Sequence, residues 1–177
     1  MCHFVTATLP AGVDLDAAAA VFEAHKCALA VVDNPHMVLP AGDVYVSTTS
    51  GPCDCGTPLG SKPEADGPPA DSELQRLRKK GWSEAKIRRW QAQKSEVVAR
   101  NTRNSDDRAR TPEANEWLAL ITAMLRLGPR FGLLIHWYKG GVATERLDPA
   151  KERIALADLD AERLLRLSQD VLYEFHR

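Results

Sequence analysis

His3-Phe4-Val5-Thr6-Ala7-Thr8-Leu9 is dense in β-branched and aromatic residues and stops at Pro10, so it reads as a first strand. Asp14 then opens a helix in which Leu15, Ala18, Ala19 and Phe22 recur at helical spacing and a run of alanines favours the helical state. Ala28 to Val32 is a short apolar run with the look of a buried strand. Asp33-Asn34-Pro35 breaks it, and Pro40-Ala41-Gly42-Asp43 makes a turn. Val44-Tyr45-Val46-Ser47-Thr48-Thr49 follows as a clear strand. The order β-α-β-β is the outline of a split β-α-β unit, with the first strand antiparallel beside Val44–Thr49.

Toward the C-terminus, Thr111-Pro112-Glu113 reads as a helix start with proline at the first helical position. The apolar face is Trp117, Leu118, Ile121, Met124 and Leu125, and Gly128-Pro129 ends the helix. Phe131 to Tyr138 is the most strand-like run in the chain, and Gly140-Gly141 closes it. Lys151 to Ala157 reads as an edge strand, and Asp160 to Phe175 as an amphipathic helix carrying Leu164, Leu165, Leu167, Val171, Leu172 and Phe175. The expected class is α+β: an antiparallel or mixed sheet with helices on one face. Its specific form would be a ferredoxin-like β-α-β-β core with an inserted basic helical hairpin.

The 177 residues suit one domain over 1–177, with 61–70 a mobile Pro/Gly/acidic loop and 71–110 the hairpin insertion. The formal net charge of −1 gives no global pull toward nucleic acid or anionic lipid. The N-terminus lacks a basic leader followed by an apolar run, and no stretch approaches the ~20 apolar residues of a membrane span. A cytoplasmic protein with no membrane association is expected, and a homo-oligomer is compatible with the composition. In that compartment Cys2, Cys27, Cys53 and Cys55 are reduced thiols, redox groups or metal ligands.

The strand order brings these residues together. If strand one lies antiparallel beside Val44–Thr49, its start meets the far end of the other, so Cys2 and His3 come close to Cys53 and Cys55. If Phe131–Tyr138 flanks strand one on the other side, His136 reaches the same edge. Thiolate and imidazole are the donors zinc selects, so Cys2, Cys53 and Cys55 with His3 or His136 form a candidate Zn²⁺ site of structural or accessory role. C-x-C is tighter than the C-x₂-C of ordinary zinc knuckles, and no second knuckle exists.

A cysteine-dependent enzyme is a further reading. Met1-Cys2 resembles the start of the N-terminal-nucleophile amidotransferases, which implies a Cys2 activated by its own α-amine. The glycine and arginine-histidine motifs of that family do not follow. Cys53 and Cys55 in a Gly/Pro loop would also serve as a redox pair. Against all of these stands simple packing, the usual fate of a free cysteine and the expected one for Cys27.

Charge is polarised. Between Arg76 and Arg110 twelve Lys/Arg face four acids, a local net of +8. Arg78, Lys79 and Lys80 end one helix at Gly81, and Ser83 caps the next, near whose start lie Lys86, Arg88 and Arg89. The outline matches a helix-turn-helix and makes a nucleic acid or an acidic protein the alternative partner. A solvated basic face is the plainer explanation.

Overall fold

The computed structural model describes residues 2–60, 78, 81–90, 92 and 107–177. The chain divides into two compact units, one made of Met1–Ser61 with Thr111–Arg177 and the other of Lys62–Arg110. The sheet belongs to the first. Its strands are β1 (Cys2–Leu9), β2 (Ala30–Val31), β3 (Val44–Ser47), β4 (Arg130–Tyr138), β5 (Ala150–Ala155) and β6 (Val171–His176), in the order β2-β3-β1-β4-β6-β5. Helices α1 (Leu15–Ala24), α2 (Asp107–Leu127) and α3 (Ala161–Leu165) accompany them.

Strand β1 is flanked by β3 and β4, both antiparallel, as the sequence leads one to expect. The pair β5/β6 is parallel, which makes the sheet mixed. A parallel pair needs a crossover of about a dozen residues or more, and the chain from Leu156 through α3 to Asp170 supplies it.

Alternation along the strands gives the sheet two apolar faces. Val5, Ala7, Leu9, Phe131, Leu133 and Ile135 form the main core with Phe22 of α1 and Trp117, Leu120, Ile121 and Met124 of α2. Leu164 of α3 joins the same cluster, so the helices cover one face. The opposite face packs Tyr45, Leu134, Tyr138 and Leu172 under loop residues Met37 and Leu147. There Tyr45 Oη donates to Thr6 Oγ1 at 2.9 Å and lies 2.7 Å from Tyr138 Oη, so the buried hydroxyls satisfy one another.

Helix α1 starts where Asp14 caps it, its carboxylate accepting from the Asp16 and Ala17 amides. It ends in a left-handed turn at Lys26 (φ 60), with the Cys27 amide returning to the Phe22 carbonyl at 2.9 Å.

Three expectations are corrected. Asp160 does cap a helix, accepting from the Arg163 amide, but that helix is α3 alone. The chain turns at Asp170 (φ 61) and Val171–His176 becomes β6. The run Val-Leu-Tyr-Glu-Phe satisfies both periods, and its aromatic and β-branched content suits the sheet, where Tyr173 and Phe175 reach the main core and Leu172 the opposite face. Helix α2 begins at Asp107, so Pro112 lies inside it and removes one backbone bond. The buried strand expected over Ala28–Val32 is the two-residue edge strand β2, whose Val31 is 60% exposed.

The 61–70 loop lies outside the described residues, as does most of the 71–110 hairpin. Within the second unit residues 84–90 are helical, and the Ser83 hydroxyl accepts from the Lys86 amide at 3.3 Å, the expected cap.

Candidate metal centre

Past Thr48, whose amide and hydroxyl both donate to the Val5 carbonyl, the chain leaves β1 and returns at Asp54. The Asp54 amide donates to the His3 carbonyl at 2.9 Å. The Asp54 carboxylate acts as a substitute strand: Oδ2 accepts from the Val5 amide at 2.7 Å and from the Thr49 hydroxyl at 2.6 Å. The Asp54 carbonyl then accepts from both the amide and the hydroxyl of Thr57, which fixes the turn beyond. Gly60 packs against this turn so closely that a Cβ would lie 2.1 Å from the Asp54 carbonyl oxygen. A methyl group has no room there, which explains the glycine.

Asp54 turns its side chain toward β1, and the chain bends into a hydrogen-bonded turn at Cys55, which leaves the sulfurs on either side of Asp54 close together. The sulfurs of Cys2, Cys53 and Cys55 all lie within 4.8 Å of one another. The His3 amide donates to Cys55 Sγ at 3.3 Å. Cys55 is exposed, and Cys2 and Cys53 are half-buried.

The two histidines expected to complete the set are elsewhere. His3 follows Cys2 in β1 and so projects to the opposite face, where its ring meets Trp137 edge-on at 4.4 Å and its Nε2 lies 2.8 Å from Gln169 Nε2. His136 pairs across from Phe4, two residues along from Cys2, and its ring nitrogens are taken by Asp170 and by Glu145 at 3.3 Å. Glu145 is itself fixed: the Gly140 and Lys139 amides donate to its other oxygen, and this holds its carboxyl below the usual range. Among the described residues, the group close enough to hold a metal ion is therefore Cys2, Cys53 and Cys55.

Cys27 stands apart from these three. It packs against the main core at the end of α1. Burial first, then the charges of Asp54 and Glu116, push its thiol up to about 11. An activated nucleophile shows the opposite shift.

Asp54 is the important residue that sequence reading missed. Its carboxyl is raised above the ordinary range by burial, against the pull of the Thr49 and Val5 donors. In the sequence it is only the spacer of a C-x-C, and no local pattern marks it.

In the basic segment, Arg78 makes a two-point ion pair with Glu84, Nε to Oε1 at 2.7 Å, and Lys86 Nζ lies over the Trp82 ring at 4.2 Å. Arg88 and Arg89 are exposed, while Lys79 and Lys80 lie outside the described residues. Among the described residues no helix is long and apolar enough to cross a membrane. Neither a protein-family model, nor a curated protein, nor a solved structure matches this chain.

Proposed function

We propose that Cys2, Cys53 and Cys55 bind a thiophilic metal ion, zinc first, and that the protein acts as a metal-holding or accessory protein. The convergence of three sulfurs within 4.8 Å, from segments some fifty residues apart in sequence, carries this reading. Zinc–sulfur bonds of about 2.3 Å put tetrahedral ligand sulfurs about 3.8 Å apart, so binding needs a contraction of about 1 Å at most. The amide of His3 supports it further, since an N–H donor stabilises charge on a ligand sulfur.

Three protein thiolates leave one tetrahedral position for water or an outside ligand. Cys55, one of the three that would hold the ion, is exposed to solvent. Binding would also lock the loop to the start of β1, because the ligands come from both, and would add metal-binding energy to folding.

Per-cysteine alkylation tests this. Bound thiolates have their lone pairs occupied, so Cys2, Cys53 and Cys55 should resist iodoacetamide and become reactive together once a chelator is added. Fast alkylation of all three without chelator would refute metal binding. Fast alkylation of Cys2 alone would point to a reactive thiol instead.

A further inference from the structure

Three sulfurs gathered this closely have a second chemistry open to them besides metal binding. Cys2, Cys53 and Cys55 are free thiols whose sulfurs all lie within 4.8 Å of one another. A disulfide holds its sulfurs about 2.05 Å apart, so a bridge needs a contraction of about 2.8 Å at most. One step of a cysteine χ1 between staggered wells moves its sulfur by about that much.

The backbone decides which two sulfurs can join. Between Cys53 and Cys55 the chain is pinned. The Asp54 amide donates to the His3 carbonyl, the Asp54 carbonyl accepts from Thr57, and the Asp54 carboxylate accepts from the Val5 amide and the Thr49 hydroxyl. A bridge across this single residue closes a small ring whose backbone must rearrange against all of these bonds. Cys2 comes from β1, so a bridge from it to the turn leaves Asp54 in place. Of the two turn cysteines, Cys55 is the exposed one, and the His3 amide donates to its sulfur at 3.3 Å, which seats it against the residue that follows Cys2. An oxidant from solution meets Cys55 first, and Cys2 is the thiol placed to resolve it. Cys27 lies outside the group and packs against the main core, which makes it a bystander.

We propose that this cluster is a redox-switched site, in which a peroxide joins Cys55 to Cys2 and so releases the bound metal. The Cys55 sulfur attacks a peroxide oxygen: an S–O bond forms, the O–O bond breaks and, with hydrogen peroxide, one water leaves. Cys2 then attacks the Cys55 sulfur: the S–S bond forms, the S–O bond breaks and a second water leaves with the Cys2 proton. Two thiols give up two electrons and two protons, and the peroxide takes them. A thiol reductant reverses the bridge by exchange. Release of the ion rests on the metal reading above, since the bridge removes two of its three protein ligands and leaves Cys53 alone. The bridge itself needs no metal.

The test starts from the full-length chain, reduced and metal-free. It is treated with hydrogen peroxide, blocked with N-ethylmaleimide and digested without reductant by a protease that cuts before aspartate, which parts Cys53 from Cys55 at Asp54. Mass spectrometry should find the Cys2 peptide joined to the Cys55 peptide within one chain, with two of the four thiols lost. Cys2→Ser and Cys55→Ser should each abolish the bridge, and Cys27→Ser should leave it. The bridged protein should melt above the reduced metal-free one. A bridge that omits Cys2 or Cys55 overturns the proposal, as do bridges only between chains and survival of all four thiols in excess peroxide. These outcomes are read on the parent chain, so they hold if a variant fails to fold. In zinc-loaded protein, peroxide should release zinc to a chromophoric indicator as the bridge forms, and dithiothreitol should restore uptake. Zinc retained by bridged protein overturns the switch. A chain that takes up no zinc refutes the metal reading instead, and the mapping still decides the bridge.

Discussion

Replacing Asp54 by alanine should destabilise the sheet unit far more than replacing it by asparagine. The Val5 amide is at a residue with no exposed surface, and its acceptor is Asp54 Oδ2 at 2.7 Å. Alanine leaves that donor buried and unpaired, which costs about 1–3 kcal/mol. Thr49 is half-buried and can turn to water, so its lost bond adds little. The expected cost for Asp54→Ala is therefore about 1–3 kcal/mol, or a fall of about 2–12 °C in melting temperature for a chain of this size. Asparagine keeps an oxygen in place and relieves the burial of a charge, so Asp54→Asn should stay within about 1 kcal/mol of the parent. Urea unfolding with chelator present measures both without any contribution from metal. Equal losses for alanine and asparagine, or no loss for either, would show that Asp54 does not serve as the substitute strand.

Other consequences are as direct. With its thiol pushed up to about 11, Cys27 is about one part in a thousand thiolate at pH 8, against about one in ten for an ordinary thiol, so its alkylation should be on the order of 100-fold slower and should accelerate toward pH 11. The sign for stability follows. The folded state holds a proton that the unfolded chain releases at about 9, so stability falls as pH rises from about 9 to about 11, and Cys27→Ser should remove that part of the alkaline decline. Gly60→Ala forces a methyl into backbone atoms 2.1 and 2.6 Å away, so it should cost about 1–3 kcal/mol or more and loosen metal binding by displacing the turn between the two cysteines. If the basic segment engages nucleic acid, retardation of a duplex should fall steeply with salt and vanish on charge reversal at Arg88 and Arg89; no retardation at low salt removes that partner.

The strands that build the site were legible because they carry the strongest local signal. Strands β1, β3 and β4 are β-branched or aromatic runs ended by proline or glycine, and the β-α-β-β order was enough to seat β1 between the other two. Gathering Cys2, Cys53 and Cys55 then followed from topology alone. The histidines were harder, because edge-level reasoning ignores the face of the strand. Period two sends His3 to the side opposite Cys2, and His136 is held by Asp170 and Glu145, two acids placed by turns that no pattern announces. The last element was misread because Val171–Phe175 fits a helix face as well as a strand, and the deciding break is the left-handed turn at Asp170. Asp54 was hidden for a different reason, since its part depends on two donors distant from it in the fold's local pattern, the Val5 amide in β1 and the Thr49 hydroxyl just past β3.

Elemental analysis of protein purified without a histidine tag, beside a count of titratable thiols and the same measurement on Cys2→Ser and Cys27→Ser, addresses the metal centre most directly. The parent and Cys27→Ser should carry a stoichiometric thiophilic metal, with three further thiols appearing on chelation in both, and Cys2→Ser should lose most of that metal. A parent that binds no metal when zinc is supplied, with Cys2, Cys53 and Cys55 all freely titratable, would contradict the site.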